Sequence, residues 1–268
     1  MISHGKKNLL GVLVDAVDHD YVEDAIIRAA KERRRFLVSA LAVHGVMEAF
    51  RDDQHRHRLN AFDLAVPDGQ WVRHGLNWLH GTRLTHTVRG ADMTARVCAA
   101  AAREGLAVFL YGSRPEVLDL LAVNLRAAYP GLVIAGMEAS KFRRTTQDER
   151  DQIAARIRES GARIVLAGLG CPRQEVWAYE YRDALAMPIL AVGAAFDFHS
   201  GLVKQAPLFV QRSGFEWLYR LLAEPRRLWR RYVVLNPIYL FNVARQRVRL
   251  KRFDPASTQV PTQELLYG

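Results

Sequence analysis

An acidic side chain follows a short apolar run, at a position where it could act on a bound ligand. The run Leu64–Val66 has the length of a buried strand, and Pro67-Asp68-Gly69 comes directly after it. Ligands of open α/β sheets bind beyond the carboxyl ends of the strands, and a carboxylate there can take a proton from a hydroxyl group. Asp68 is therefore a candidate general base. Because these residue types are also common in turns, a turn without a chemical role is the alternative.

A glycine loop joins a second apolar run to the start of a helix. Gly168 and Gly170 follow the run Ile164–Ala167, and Pro172 and Arg173 come next. Glycines let the backbone approach a ligand closely, and the free N–H groups at the start of a helix bind phosphate oxygens. The loop thus indicates a phosphate or nucleotide contact, with a tight turn as the alternative. The third glycine of the dinucleotide-binding fingerprint is missing, which argues against a dehydrogenase.

A third junction of the same kind follows the run Ile189–Val192. Gly193 comes first, and Asp197 lies four positions further on. The Asp197 carboxylate could accept hydrogen bonds from a ribose or sugar hydroxyl. The alternative is a buried aspartate that binds the amides of its own loop.

The three junctions need a sheet whose strands end on one side, and the rest of the chain predicts one. Short apolar runs alternate with longer amphipathic stretches, which indicates a Rossmann-like, mostly parallel sheet with helices on both faces. The predicted strands are Leu9–Val14, Phe36–Ser39, Leu64–Val66, Ala107–Tyr111, Leu132–Gly136, Ile164–Ala167 and Ile189–Val192. The predicted helices are Tyr21–Arg33, Met47–Arg58, Ala91–Arg103, Pro115–Tyr129, Gln147–Ser160 and Arg173–Ala186.

Beyond Gly201 the strand pattern stops and the charge balance changes. The 268-residue chain has a net charge of +10, and the segment Lys204–Arg252 holds twelve basic and two acidic residues, so it carries the whole excess. Its basic amphipathic helices contain Trp and Tyr, which suit a membrane interface. We therefore predict an α/β core at 1–201, a basic amphipathic helical appendage at 202–252 that acts at the membrane surface or as an active-site lid, and a flexible tail at 253–268.

Composition excludes several classes of protein. Cys98 and Cys171 are the only cysteines, which fits neither a disulfide framework nor a cysteine-based zinc site and favours a reducing, cytoplasmic compartment. The histidines show no metal-ligand spacing, so we predict no metal site. No run is long and apolar enough to span a membrane. The arginine-rich helices leave a nucleic-acid binder as an alternative, although no DNA-reading motif accompanies them.

Three segments in this order resemble the WecG/TagA/CpsF family of bacterial glycosyltransferases. They are GLGCPRQEVW at 168–177, VGAAFDFHSG at 192–201 and FEWLYRLLAEPRRLWRRY at 215–232. The resemblance implies a Rossmann-like core with a C-terminal appendage. It also implies transfer of a sugar from a UDP-sugar donor to a polyprenyl-diphosphate-linked saccharide, with inversion and without a metal or cofactor. Such a protein would lie peripherally on the inner face of the cell membrane and serve surface polysaccharide or exopolysaccharide synthesis.

The resemblance also assigns roles to individual residues. Asp68 would be the base, with Ser39 and Gln174 as further catalytic residues. The arginines of the appendage would close over the donor diphosphate. The implied nucleotide-sugar contacts are Gly168, Gly170, Pro172, Arg173, Gly193 and Asp197. The implied diphosphate contacts are Arg220, Arg227, Arg230 and Arg231.

The chain departs from the family pattern in its N-terminal half. Leu41 stands where an Asn is usual, Trp71 where a Gly is usual, and His86-Thr87 where Glu-Arg is usual. The acceptor and the transferred sugar are expected in this half. The alternative function is therefore a catalytically impaired homologue that binds nucleotide or lipid as a partner in the same pathway. We predict no nucleic-acid partner, and homo-oligomers are compatible with the basic helices.

Overall fold

A parallel sheet of six strands lies at the centre of the protein. The computed structural model describes residues 1–207, 210, 216–223 and 225–268, excluding the side chains of residues 216, 220, 223, 227, 230 and 231. The strands are β1 (Ser3–Leu9), β2 (Val12–Val17), β3 (Phe36–Leu41), β4 (Leu64–Pro67), β5 (Val108–Gly112), β6 (Ile134–Glu138), β7 (Ile164–Gly168) and β8 (Pro188–Ala191). The central sheet has the order β4-β3-β8-β7-β5-β6, and all its neighbouring strands are parallel.

Both faces of this sheet are buried. Along β7, Ile164 and Leu166 belong to one apolar cluster, whereas Val165 and Ala167 belong to the other. Since successive side chains of a strand point to opposite faces, helices must cover both sides, and the strands lack the polar alternation of a half-exposed sheet. The predicted Rossmann-like α/β fold is confirmed.

Nine helices of the described core surround the sheet, and capping side chains mark several of their starts. The Asp52 carboxylate accepts hydrogen bonds from Gln54 N and His55 N, and it therefore divides the predicted helix Met47–Arg58 into two. Thr146 and Glu149 form a capping box. The helices are α1 (His19–Lys31), α2 (Val43–Arg51), α3 (Asp53–Asn60), α4 (Gln70–His80), α5 (Gly90–Glu104), α6 (Pro115–Ala128), α7 (Gln147–Glu159), α8 (Arg173–Leu185) and α9 (Ala195–His199).

The N-terminal hairpin corrects one predicted strand. The run Leu9–Val14 contains the turn between the antiparallel strands β1 and β2 instead of forming one strand. Leu10 and Gly11 in this turn have positive φ angles of 57° and 86°. Leu10 is nevertheless only 1 % exposed. An apolar run therefore continues through a buried turn, which is why the pattern concealed it.

The C-terminal region is helical, as predicted, and its last helix packs on the core. Its elements are α10 (Glu216–Ala223), α11 (Pro225–Trp229), a π-helical segment (Arg230–Leu235) and α12 (Asn236–Arg247). The Tyr239 hydroxyl on α12 donates a hydrogen bond to the Trp71 carbonyl on α4 over 3.0 Å. The Gln246 amide donates to Asn8 O and accepts from Leu10 N, each at 2.9 Å. The backbone of α4 at position 71 and the N-terminal hairpin thus both hold α12.

The segment 253–268, expected to be a flexible tail, has specific contacts with the core. Asn8 donates a hydrogen bond to Phe253 O. The Glu180 carboxylate on α8 accepts hydrogen bonds from Leu265 N and Leu266 N. Leu266 O in turn accepts from Thr145 N over 2.7 Å. These contacts extend from the start of the segment to its end.

Within the residues that the structure describes, no helix is both long and apolar enough to cross a membrane.

Candidate active site

A pocket of about 360 Å³ opens at the carboxyl ends of the strands. Every strand of the central sheet contributes to it through its last residues or the loop that follows. The predicted residues that line it are Asp68, Gly168, Gly170, Arg173, Gln174, Gly193 and Asp197. The three junctions chosen from the sequence therefore meet in one cavity. This position agrees with the general rule for ligand sites in open α/β sheets.

Asp68 lies between two neighbouring elements and lines this pocket. Its backbone N–H donates to Leu41 O over 3.0 Å, which fixes the residue beside β3. Gly90 N, the first amide of the 15-residue helix α5, is 3.5 Å from Asp68 Oδ2. A helix N-terminus carries a positive partial charge, so the start of α5 is a favourable neighbour for this side chain. Gly69 has a φ of 100°, a backbone conformation that favours glycine. Asp68 therefore precedes a turn and also lines the pocket.

The glycine loop is closely packed at Gly168. A Cβ at this position would lie 2.5 Å from Phe196 Cδ2, so a larger residue would displace the Phe196 ring. Gly170 has a φ of 77°, and the Cys171–Pro172 peptide bond is cis. Gly168, Gly170 and Cys171 all line the pocket, so the loop forms part of its wall.

Arg173 braces the same loop. Its guanidinium donates a hydrogen bond to Leu169 O over 2.8 Å while the residue lines the pocket. The start of α8 therefore holds the loop through the Arg173 side chain, and the Gln174 N–H also donates to Gly170 O over 3.0 Å.

Ser39 and Gln174 meet at a buried acid. Glu175 Oε1 accepts hydrogen bonds from Ser39 Oγ over 3.1 Å and from Gln174 Nε2 over 2.9 Å. Burial raises the pKa of Glu175, although hydrogen bonds from the Gln174, Ser39 and Cys171 side chains oppose the shift. Ser39 is fully buried and does not line the pocket, whereas Gln174 does.

The chain matches the family model described as "Glycosyl transferase WecG/TagA/CpsF family" over residues 7–253. The chain belongs to this glycosyltransferase family. The resemblance inferred from three motifs is thus confirmed over nearly the whole chain, and with it the coarse assignment as a glycosyltransferase.

Several pocket residues of this glycosyltransferase were not chosen from the sequence. Ser113 has a φ of 57° and lines the cavity, and Arg114 occupies the N-cap position of the helix that follows. Glu175 was missed because it reads as an ordinary acid in the first turn of a helix. The apolar residues Val176 and Trp177, which directly follow Glu175, could have indicated its burial. Both are buried in the structure, so this turn of the helix has little contact with solvent. Further lining residues of this kind include His44, Ser140, Phe142 and Cys171.

The tail of the glycosyltransferase reaches the rim of its pocket. Ser140 and Phe142 belong to the loop between β6 and α7 and line the cavity. Ser140 Oγ donates a hydrogen bond to Gly268 O over 2.6 Å, and Gly268 N donates to Arg143 O over 3.1 Å. This loop is therefore held from outside by the last residues of the chain.

The predicted diphosphate contacts lie outside what the structure describes. Arg220, Arg227, Arg230 and Arg231 belong to the appendage of the glycosyltransferase, and their side chains are not among the described ones. Their role therefore stays a prediction. Within the described ranges, no group of three or more His, Cys, Asp and Glu residues could hold a metal ion.

Proposed function

We propose that the pocket transfers a sugar from a UDP-sugar to a polyprenyl-diphosphate-linked saccharide. The observation that carries the proposal is the convergence of Asp68, the glycine loop, Gln174 and Asp197 in one cavity at the ends of six parallel strands. A base, a phosphate-binding loop and a hydroxyl-binding acid are the parts that transfer from a nucleotide sugar requires.

The proposed reaction is a single displacement. The acceptor hydroxyl oxygen attacks the anomeric carbon, and the Asp68 carboxylate takes its proton. The bond between that carbon and the diphosphate oxygen breaks, and UDP leaves with the electron pair. Attack opposite the leaving group inverts the anomeric centre.

The departing diphosphate needs positive charge, which we assign to arginines. Preorganised cations stabilise charge that develops on a leaving group, and guanidinium groups bind phosphate oxygens two at a time. Arg220, Arg227, Arg230 and Arg231 would supply this charge together with the N–H groups at the start of α8. In this proposal no metal ion is needed.

We further propose that the transferase works at the inner face of the cell membrane. Exposed apolar side chains lie on the π-helical segment and on α12, where Val233 is 59 % and Phe241 is 62 % exposed. Arg245 lies 5.5 Å from the centre of the Phe241 ring, so apolar and basic groups share this surface. Such a surface suits anionic lipid headgroups.

The function is tested by screening UDP-sugars against the purified chain, with UDP alone as a control. We expect UDP to raise the melting temperature and one UDP-sugar to give transfer to a short-chain polyprenyl-diphosphate saccharide. The product should have the inverted anomeric configuration by NMR, and EDTA should not stop turnover. Binding of UDP without transfer from any UDP-sugar would favour the impaired homologue instead.

A further inference from the structure

Glu175 connects two parts of the site that are far apart in sequence. Its Oε1 atom accepts from Ser39 Oγ over 3.1 Å and from Gln174 Nε2 over 2.9 Å. The three side chains are at most 3 % exposed. Since Ser39 lies on β3 and Gln174 on α8, the shared acceptor links the end of one central strand to the helix after the glycine loop.

The other end of the Gln174 amide is also held. Its Oε1 accepts a hydrogen bond from Gly170 N over 3.1 Å. Turning the amide by half a revolution would place its NH₂ group against the Gly170 N–H and its oxygen against the Glu175 acceptor. One orientation of the amide is therefore favoured, and Glu175 is the acceptor that selects it.

Packing leaves Gln174 little space to move. Gly193 approaches its side chain so closely that a Cβ there would lie 3.3 Å from Oε1 and 3.4 Å from Nε2. Gln174 thus has Gly193 beside it, the glycine loop at one end and Glu175 at the other, while it still lines the pocket.

We propose that Glu175 is a positioning residue that fixes the Gln174 amide and the glycine loop for transfer, with Ser39 holding Glu175 in turn. Because Ser39 is fully buried, its contribution passes through Glu175 and not through contact with substrate. The inference rests on the proposed function, in which Gln174 contacts the reacting substrates.

Two substitutions of Glu175 can distinguish a role as hydrogen-bond acceptor from a role that needs its negative charge. Burial raises the pKa of Glu175, which favours its uncharged form. Glutamine has nearly the same shape, is uncharged and retains an oxygen that can accept from Ser39 and Gln174. Leucine fills similar space without any acceptor.

The test compares Glu175→Leu, Glu175→Gln and Ser39→Ala with the parent chain. We expect Glu175→Leu to lower kcat about 100-fold with little change in the KM for the UDP-sugar, since small misplacements of reactive groups cost about this much. Glu175→Gln should recover most of the kcat. Ser39→Ala should lower kcat by about tenfold, since one of the side-chain hydrogen bonds to Glu175 is lost.

The matched control is Asp15→Leu, which removes another buried acid outside the pocket. Asp15 is 4 % exposed and accepts a hydrogen bond from Ala65 N over 2.8 Å. This variant should melt at a lower temperature and keep its kcat. An unchanged kcat in Glu175→Leu would overturn the inference, and so would equal losses in Glu175→Leu and Glu175→Gln.

A second measurement keeps the inference independent of turnover. Crystal structures of the parent and of Glu175→Gln should show the same Gln174 rotamer, and Ser39→Ala should show a displaced Glu175 or Gln174. An undisturbed network in Ser39→Ala would contradict the inference. Absence of transfer by the parent chain from every UDP-sugar would instead contradict the proposed function.

Discussion

Asp68 combines a fixed backbone with a place in the lining of the pocket. Leu41 O holds its N–H group, and the first amide of α5 faces its Oδ2 atom. We expect Asp68→Asn to lower kcat by at least about 100-fold, as removal of a general base does. The affinity for UDP should stay within about twofold by calorimetry, because Asn keeps the shape of Asp. Full turnover in Asp68→Asn would remove this residue as the base.

A second acid makes stability depend on pH. Burial raises the pKa of Asp15 to about 6, above its ordinary value of 3.8. The folded chain therefore binds this proton more tightly than the unfolded chain does. The resulting stabilisation is complete below about pH 4 and is lost as pH rises through about 6, a change of about 3 kcal/mol.

Asp15→Asn isolates this contribution, because Asn can still accept from Ala65 N but does not ionise. In urea unfolding at pH 4.5 and pH 7, we expect the variant to lose less free energy of unfolding over that interval than the parent chain. Equal losses in the two proteins would show that Asp15 does not titrate in this range.

At the level of single residues, the sequence predicted which residues line the pocket. It did not predict the hydrogen bonds that those residues make with buried neighbours. Asp68, Gly170, Gly193 and Asp197 could be chosen because each follows an apolar run, and strand ends are where ligands bind. The burial of Ser39 beneath the pocket depends on tertiary packing. So does the acceptor role of Glu175, which no local pattern specifies.

Among the secondary-structure elements, α12 packs closely on α4 because position 75 of α4 is a glycine. A Cβ at Gly75 on α4 would lie 2.3 Å from the Tyr239 hydroxyl oxygen on α12. We expect Gly75→Ala to destabilise the protein by about 2 kcal/mol through overpacking, despite the better helix propensity of Ala.

The companion variant removes the clashing atom. Tyr239→Phe alone should cost about 1 kcal/mol for its lost hydrogen bond to Trp71 O. Gly75→Ala combined with Tyr239→Phe should be more stable than Gly75→Ala alone in thermal unfolding. If the two losses simply add, the contact between α4 and α12 differs from the one described.

The contacts of the last residues of the chain lead to a prediction about donor binding. Leu266 and Gly268 hold the loop that carries Ser140 and Phe142 at the pocket rim. Removing residues 264–268 should raise the KM for the nucleotide donor about tenfold, equal to about 1.4 kcal/mol, and leave kcat nearly unchanged. An unaltered KM would mean that the loop keeps its position unaided.

Sequence periodicity predicted most elements but not their interruptions. The strands of the central sheet were found because both of their faces are buried, which leaves continuous apolar runs. The β1–β2 turn was missed because Leu10 is buried in it, and the break at Asp52 was missed because polar residues continue on either side. The contacts of residues 253–268 are made to distant parts of the chain, which composition alone cannot reveal.

For the whole molecule, the charge asymmetry found in the sequence predicts binding to anionic membranes. The segment Lys204–Arg252 carries the entire net charge, and the exposed side chains of Val233 and Phe241 lie within it. We expect the protein to sediment with vesicles that contain phosphatidylglycerol and not with neutral vesicles. Binding should weaken as salt is added, because exposed charges are screened.

The same substitution at two exposed valines tests whether the appendage, and not another surface of the protein, contacts the membrane. Val233 is 59 % exposed on the π-helical segment, and Val123 is 62 % exposed on α6. Val233→Ser should weaken vesicle binding, whereas Val123→Ser should not. Equal effects of the two substitutions would show that the appendage is not the contact surface.

The order of strands in the sheet also bears on synthesis of the protein. The two middle strands, β7 and β8, come after both outer pairs in the chain. During translation, β3–β4 and β5–β6 therefore emerge as separate halves with nothing between them. The sheet closes only after residue 191 has left the ribosome. Until then the nascent chain exposes strand edges that have no partner, and such edges promote aggregation.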